Sequence, residues 1–247
     1  MTAETLAAGI AIAFLAAVCQ SVTGFGFALV MTPLLTVAWE VKPAVATSIL
    51  LGTLALFPLL GEVRGHVSFP RIGVLFLGFV AGVPPGIFLL ERLDAETLQM
   101  VIAGAAIAAG LLLYLSPSLA AGDDTVLLRL TAGAISGAIG SSTAMGGPPI
   151  VIYLLGRERE IGRFRATLLA FFLPASGLTL AAFAVVGEIT QDVLLLSAAA
   201  LPAVAVGIAA GTIVRRRLGP ERFRTVVVGV LVLSSVAVLL SASGALG

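Results

Sequence analysis

Apolar residues in this chain run in long unbroken blocks, neither alternating as in a half-buried strand nor recurring at three and four as on an amphipathic surface helix. Splitting at charges and turn residues leaves eight stretches: 5–39, 43–60, 72–90, 98–115, 126–155, 166–186, 193–214 and 225–240. Most are close to the roughly 20 residues that a helix needs to cross a bilayer. The first and fifth are too long for one straight helix, and each holds a cluster of Gly, Ser and Thr followed by Pro.

These two outliers correspond, which exposes an internal repeat. Gly24 and Pro33 match Gly140 and Pro149 at an offset of 116, Ala46 and Thr47 match Ala166 and Thr167 at 120, and Gly61 and Glu62 match Gly187 and Glu188 at 126. Gly82, Gly86, Leu93, Glu96, Val101 and Gly104 match Gly207, Gly211, Leu218, Glu221, Val226 and Gly229 at 125. The expected units are a four-segment repeat over 1–121 and a second over 122–247.

Composition fixes the environment. Hydrophobic residues make up 59% of the chain, charged ones 11%, and the mean hydropathy is +1.15, where a soluble domain carries roughly 25% charged residues. Such a surface faces lipid, and backbone groups there need internal partners, which helices supply. The expected fold class is an all-α polytopic membrane protein of about eight transmembrane segments, arranged as two four-segment repeats with broken helices in segments 1 and 5. The first run lacks a basic leader and reads as a retained span. Cys19 is the one cysteine, which excludes an internal disulfide or a cysteine metal cluster. A net charge of +1 gives no reason for a nucleic-acid partner.

Basic residues set the orientation. If each long stretch crosses once with the N-terminus outside, the inner loops hold 11 Arg and Lys, namely Lys42, Arg92, Arg157, Arg159, Arg163, Arg165, Arg215, Arg216, Arg217, Arg222 and Arg224. The outer loops then hold 3, Arg64, Arg71 and Arg129. Both termini are expected outside, with the repeats in the same orientation. A re-entrant hairpin in either broken stretch changes the parity and inverts the copies.

The chemistry is expected at the two breaks. The first reads Gln20, Ser21, Val22, Thr23, Gly24, Phe25, Gly26, Phe27, ending at Pro33; the second runs from Ser136 through Gly140, Ser141, Ser142, Thr143, Gly146 and Gly147 to Pro148 and Pro149. Glycine permits positive φ, and proline removes a donor and suits the start of a new helical piece. Non-helical backbone at membrane depth is tolerated where it is buried or lines a cavity, and paired interruptions point to a transporter's substrate site. Half-helix N-termini favour anions, and Ser21, Thr23, Ser141, Ser142 and Thr143 add hydroxyls. The plainer reading, close helix packing through small residues, is preferred for Gly78, Gly82 and Gly86 and their counterparts Ala203, Gly207 and Gly211.

The two motif segments, the Ala-Thr pairs at Thr47 and Thr167 and the four-plus-four duplication resemble the TauE/SafE family of sulfite and organosulfonate exporters, over essentially the whole chain. The resemblance implies a multi-pass protein of the bacterial inner membrane that moves a small sulfur-containing anion, coupled to a proton or other ion gradient. The breaks and the Ala-Thr pairs together give the expected substrate site: Ser21, Thr23, Gly24, Phe25, Gly26, Thr47, Gly140, Ser141, Ser142, Thr143, Gly146, Gly147 and Thr167.

The remaining polar residues add less. Glu62 and Glu188 are equivalent span-end residues that would couple protons, against a plainer reading as solvated turns. His66 reads as an interfacial imidazole, and the Arg clusters as topology signals, with Arg163 and Arg165 near enough to Thr167 to reach an anion. No mid-span carboxylate and no phosphate-binding Gly-Lys-Ser/Thr loop occurs, so the chain is not itself an ATP-driven pump. No cofactor or metal is implied, the oligomeric state is open, and an enzyme is not expected. The alternatives are an anion channel or passive permease, and more remotely an intramembrane serine hydrolase using Ser141 or Ser142 with His66.

Overall fold

The structure is a computed structural model that describes residues 1–63, 69–119, 124–155, 157–158 and 160–217. The eighth apolar stretch, 225–240, and His66 lie outside the described residues, as does the side chain of Glu62. Every regular element among the described residues is helical. The order is α1 (Ala3–Thr23), α2 (Phe27–Ala38), α3 (Val41–Leu56) with a 3-10 extension (Phe57–Val63), α4 (Phe69–Arg92), α5 (Ala95–Leu119), α6 (Val126–Thr143), α7 (Gly147–Leu155), α8 (Ile161–Val185) and α9 (Gln191–Arg217). Five of these, α1, α3, α4, α8 and α9, are long and apolar enough to cross a membrane.

Each overlong stretch is two helices, and the chain turns back between them. Were α1 and α2 one rod, Thr5 and Ala38 would lie about 50 Å apart at 1.5 Å per residue. Instead Thr5 Oγ1 donates to Ala38 O at 3.2 Å. In the second stretch Tyr153, near the end of α7, donates its hydroxyl to Asp124, just ahead of α6, at 2.7 Å. Both stretches are therefore helical hairpins whose two ends meet. The single-crossing assumption behind the orientation count is corrected by these contacts, and the re-entrant parity applies.

Ion pairs show which ends lie together. At one end the N-terminal ammonium meets Asp192 at 3.2 Å and Lys42 meets Glu188 at 3.7 Å. At the other, Arg71 meets Asp124 at 3.3 Å and Glu158 at 2.8 Å. The first hairpin thus opens from one end of the bundle and the second from the opposite end.

Long helices pack where small residues let main chains touch. Gly78, Gly82 and Gly86 on α4 face Leu130, Ala134 and Ala138 on α6 in rising order, so the two helices run parallel; a Cβ on Gly82 would fall 2.8 Å from Ala138 N. Gly207 and Gly211 on α9 face Phe14 and Val18 on α1 likewise, at 2.6 Å from Phe14 O and 2.7 Å from Val18 O. Such close approach replaces the hydrophobic drive that lipid cannot supply. The packing role expected for these glycines is the one they have. Leu15, Leu77, Phe88 and Val206 point outward and are more than half exposed, as a lipid-facing surface requires.

Two apolar clusters fill the interior, one around α1, α2, α3 and α9, the other around α3, α4, α5, α7 and α8. In the second, Phe79 and Phe171 meet edge-on with centroids 5.8 Å apart, and Phe171 meets Phe172 at 5.4 Å.

Candidate functional site

The hairpin tips are built alike. α1 ends at Gly24, whose φ of 84° lets its N–H reach back to Gln20 O at 2.7 Å. Phe25 N then donates to Thr23 Oγ1 at 3.0 Å, and Thr23 Oγ1 is also bonded to Phe25 O. In the second hairpin α6 ends at Ala144 with φ 65°, its N–H on Gly140 O at 2.9 Å, and Met145 N donates to Thr143 Oγ1 at 3.2 Å. Matching geometry therefore falls at residues 120 apart: Thr23 with Thr143 and Gly24 with Ala144, with the second helices starting at Phe27 and Gly147, although Gly26 alone of the two preceding glycines takes a positive φ. The sequence match of Gly24 to Gly140 and Pro33 to Pro149 is corrected by four residues. Letters misled there because Ala144 takes the left-handed cap that glycine takes in the first tip, despite a cost of about 1 kcal/mol.

Pro33 lies inside α2 and not at its start, whereas Pro148 and Pro149 occupy the first turn of α7. The two helix N-termini therefore differ. The first turn of α2, capped by Gly26 with φ 102°, keeps its amides, one of which, Phe27 N, donates to Gln20 Oε1 at 3.1 Å. α7 has lost two donors to proline.

Both tips converge on one cleft of about 90 Å³, several times the roughly 10–15 Å³ needed by one water. Residues 25–29 line it from the first hairpin and Gly140 with residues 144–147 from the second. Ser48, Ile49, Gly52 and Leu56 come from α3, Phe172, Ala175, Ser176 and Thr179 from α8, and Phe79 from α4. Among the described residues no charged one lines the cleft. It offers main-chain dipoles, the Gln20 amide and aromatic walls, which suit a small solute with a polar head.

Of the expected site residues, Phe25, Gly26, Gly140, Gly146 and Gly147 line this cleft. The hydroxyls do other work. Ser21 Oγ bonds Ile208 O and Thr212 Oγ1, each at 2.9 Å, and Ser141 Oγ donates to Gly137 O at 2.7 Å and Val83 O at 3.1 Å. Both fasten a tip to its parallel partner helix. Ser142 and Thr143 donate to Ala138 O and Ile139 O at 2.8 and 2.7 Å. Thr47 and Thr167, again 120 apart, are fully buried, and their Oγ1 atoms have no hydrogen-bond partner. Gly24 sits against Arg165 and not in the cleft. Glu188 is held by Lys42 at a bundle end.

Sequence reasoning assigned no role to Gln20, Phe79, Phe172, Ser48, Ser176 or Thr179. Gln20 lay inside the first motif and was legible as a polar residue in an apolar run; the others belong to ordinary helical stretches that only tertiary packing brings to the tips.

At the opposite end from the N-terminus, Asp124 gathers Arg129 at 2.9 Å, Arg71 at 3.3 Å, Arg157 at 3.5 Å and the Tyr153 hydroxyl. The Arg129 hydrogen bonds above all, then that from Tyr153, hold its carboxyl down to about 2, against the opposing effect of burial. This network ties the base of the second hairpin to the start of α4.

Comparison with known proteins places the chain. The family profile described as Sulfite exporter TauE/SafE matches residues 9–238. A Cupriavidus necator protein named "Probable sulfite/organosulfonate exporter TauE" is 25% identical over 241 residues, covering 92% of this chain and 90% of its own. No solved structure matches.

Proposed function

The chain belongs to the TauE/SafE sulfite exporter family, a family of membrane exporters and not of enzymes, and from that premise we propose that it moves sulfite, an organosulfonate or a related small sulfur oxyanion across the inner membrane by alternating access around the cleft between its two hairpin tips. The observation that carries this reading is the convergence of two like-built helix breaks on one roomy cleft. An oxyanion at that depth loses hydration, and the positive end of the α2 dipole together with the Gln20 amide in the cleft lining favours it there. The apolar wall of Phe79, Phe172 and Met145 accommodates an organic substituent.

The halves 1–121 and 122–247 act as inverted copies, since the hairpins enter from opposite ends, and inverted copies supply the two-way symmetry that alternating access uses. Orientation follows from the same parity. Lys42 and Arg92 fall at the end that carries the N-terminus, while Arg71, Arg129, Arg157, Arg163, Arg215, Arg216 and Arg217 fall at the other. Basic residues mark the cytoplasmic side, which supports a periplasmic N-terminus, with Lys42, Arg92, Arg71 and Arg129 on the sides opposite to those of the single-crossing count.

Saturable, gradient-dependent sulfite flux in proteoliposomes tests the reading. Gly26→Val and Gly146→Val are expected to abolish it in protein that still inserts. Flux at the wild-type rate in both variants removes the tips from the transport path.

A further inference from the structure

Resting on the reading of the cleft as an oxyanion site, we propose that Gln20 is its specificity-determining contact: the carboxamide relays the first amide of α2 into the cleft and donates Nε2–H to an oxygen of the substrate. Gln20 stands in the last turn of α1, lines the cleft and is 4% exposed. Its main-chain O takes the Gly24 N–H at 2.7 Å, which fixes the residue at the break itself. Its Oε1 accepts from Phe27 N at 3.1 Å. A main-chain N–H only donates, so that bond decides which end of the carboxamide is oxygen. The NH2 group is thereby turned away from Phe27 N, and no acceptor among the described residues takes its protons. A buried donor left without a partner is costly, and a bound acceptor removes that cost.

The hydroxyls of the lining do not offer the same thing. Ser48 Oγ donates to Ala44 O at 2.8 Å and Thr179 Oγ1 to Ala175 O at 3.0 Å, so their protons are spent within their own helices. Ser176 has no partner among the described residues, but it is only partly buried and its hydroxyl turns freely. Gln20 is the donor held in one direction. Phe27 N–H belongs to the positive end of α2 and polarises the carboxamide that accepts it, and hydrogen bonds in such a chain strengthen one another. The second tip has no counterpart: the residue 120 positions on is Gly140, which lines the cleft without a side chain. A Cβ on Gly140 would meet Phe79 at 3.6 Å, so that side of the cleft is aromatic. The acceptor oxygen of the substrate is therefore held at the first tip, with any organic substituent toward Phe79.

Gln20→Glu separates a substrate contact from a structural role, because it keeps the stem and the acceptor for Phe27 N and exchanges only the donor for a carboxylate oxygen. The readout is titration calorimetry on the purified full chain with methanesulfonate, which stays a monoanion from acid to alkaline pH. At alkaline pH the variant is expected to bind about a hundredfold more weakly than the wild type, since a hydrogen bond to a charged group is lost and a like charge is gained. Toward acid pH the introduced carboxyl takes up a proton, becomes a donor again and recovers affinity, while the wild-type curve stays flat. Among the described residues the lining from α2, α3, α4, α6, α7 and α8 holds no titratable side chain. Cys19 stands beside Gln20 on α1, Arg165 of α8 bonds Ser21 O and Val22 O, and Arg215 follows Thr212, the α9 partner of Ser21, by less than a turn. All three are common to both proteins, so their own titration shows in the wild-type curve. Wild-type affinity in Gln20→Glu at alkaline pH, or a weakening that no pH relieves, overturns the proposal and leaves the cleft reading intact. A wild type that binds neither methanesulfonate nor sulfite overturns both. Should Gln20→Glu not fold, a structure of the wild type with methanesulfonate decides: a sulfonate oxygen about 3 Å from Gln20 Nε2 upholds the proposal, and a sulfonate in the cleft with no oxygen on Gln20 overturns it.

Discussion

Gly82→Ala probes the contact that holds the second hairpin to α4. A Cβ added there would fall 2.8 Å from Ala138 N and closer still to Ala134 O, both main-chain atoms of α6. No rotamer change relieves a clash with backbone, so the helices must part by about 1 Å, and overpacking of this kind costs about 1–3 kcal/mol. Alanine returns up to about 1 kcal/mol in helix propensity, and with three main-chain atoms of α6 within 3 Å of the new Cβ the overpacking cost falls in the upper part of its range, about 2–3 kcal/mol, leaving a net loss of about 1–2 kcal/mol. Gly177 on α8 is the control, because nothing lies within 4 Å of its added Cβ and only the propensity gain applies. In detergent, at roughly 2–4 °C per kcal/mol for a chain of this size, the apparent melting temperature of Gly82→Ala should fall by roughly 2–8 °C. Gly177→Ala should match or exceed the wild type. Equal melting of the two variants would refute main-chain contact between α4 and α6.

Asp124→Asn should destabilise the protein by about 1–3 kcal/mol, between the values for exposed and buried networks. Because the folded Asp124 carboxyl is lowered to about 2 from an ordinary value near 4, its contribution is present above the unfolded value and lost as pH falls through that interval; melting temperatures of the two proteins should converge toward pH 2 if this network acts as described. Ala144→Gly removes the strain of a left-handed alanine and should raise stability by about 1 kcal/mol; a fall in melting temperature would speak against that cap. Single cysteines replacing Glu4 and Glu40, in a chain lacking Cys19, should both react with an impermeant thiol reagent from the periplasmic side, whereas reaction from opposite sides would restore the single crossing.

The breaks were legible because glycines and hydroxyls stand out in an otherwise apolar run. Their direction was not: a local interruption does not say whether the chain continues or returns, and that information lies in the Thr5 to Ala38 and Asp124 to Tyr153 contacts. The hydroxyls at Ser21 and Ser141 were recognised as special, but the sequence cannot tell a donor aimed at a ligand from one aimed at a neighbouring carbonyl. The lining from α3 and α8 left no motif, since Ser48 and Thr179 bond back to Ala44 O and Ala175 O within their own helices. Arg163 and Arg165 were set apart together by their nearness to Thr167, and burial against the end of α1 distinguishes Arg165 from the half-exposed Arg163.

The central claim is that the anion sits between the two hairpin tips. A crystal structure with selenite, whose selenium scatters anomalously, tests it most directly. One anomalous peak within the cleft bounded by residues 25–29 and 144–147 is the expected result, and a bound anion located away from both tips would contradict the account.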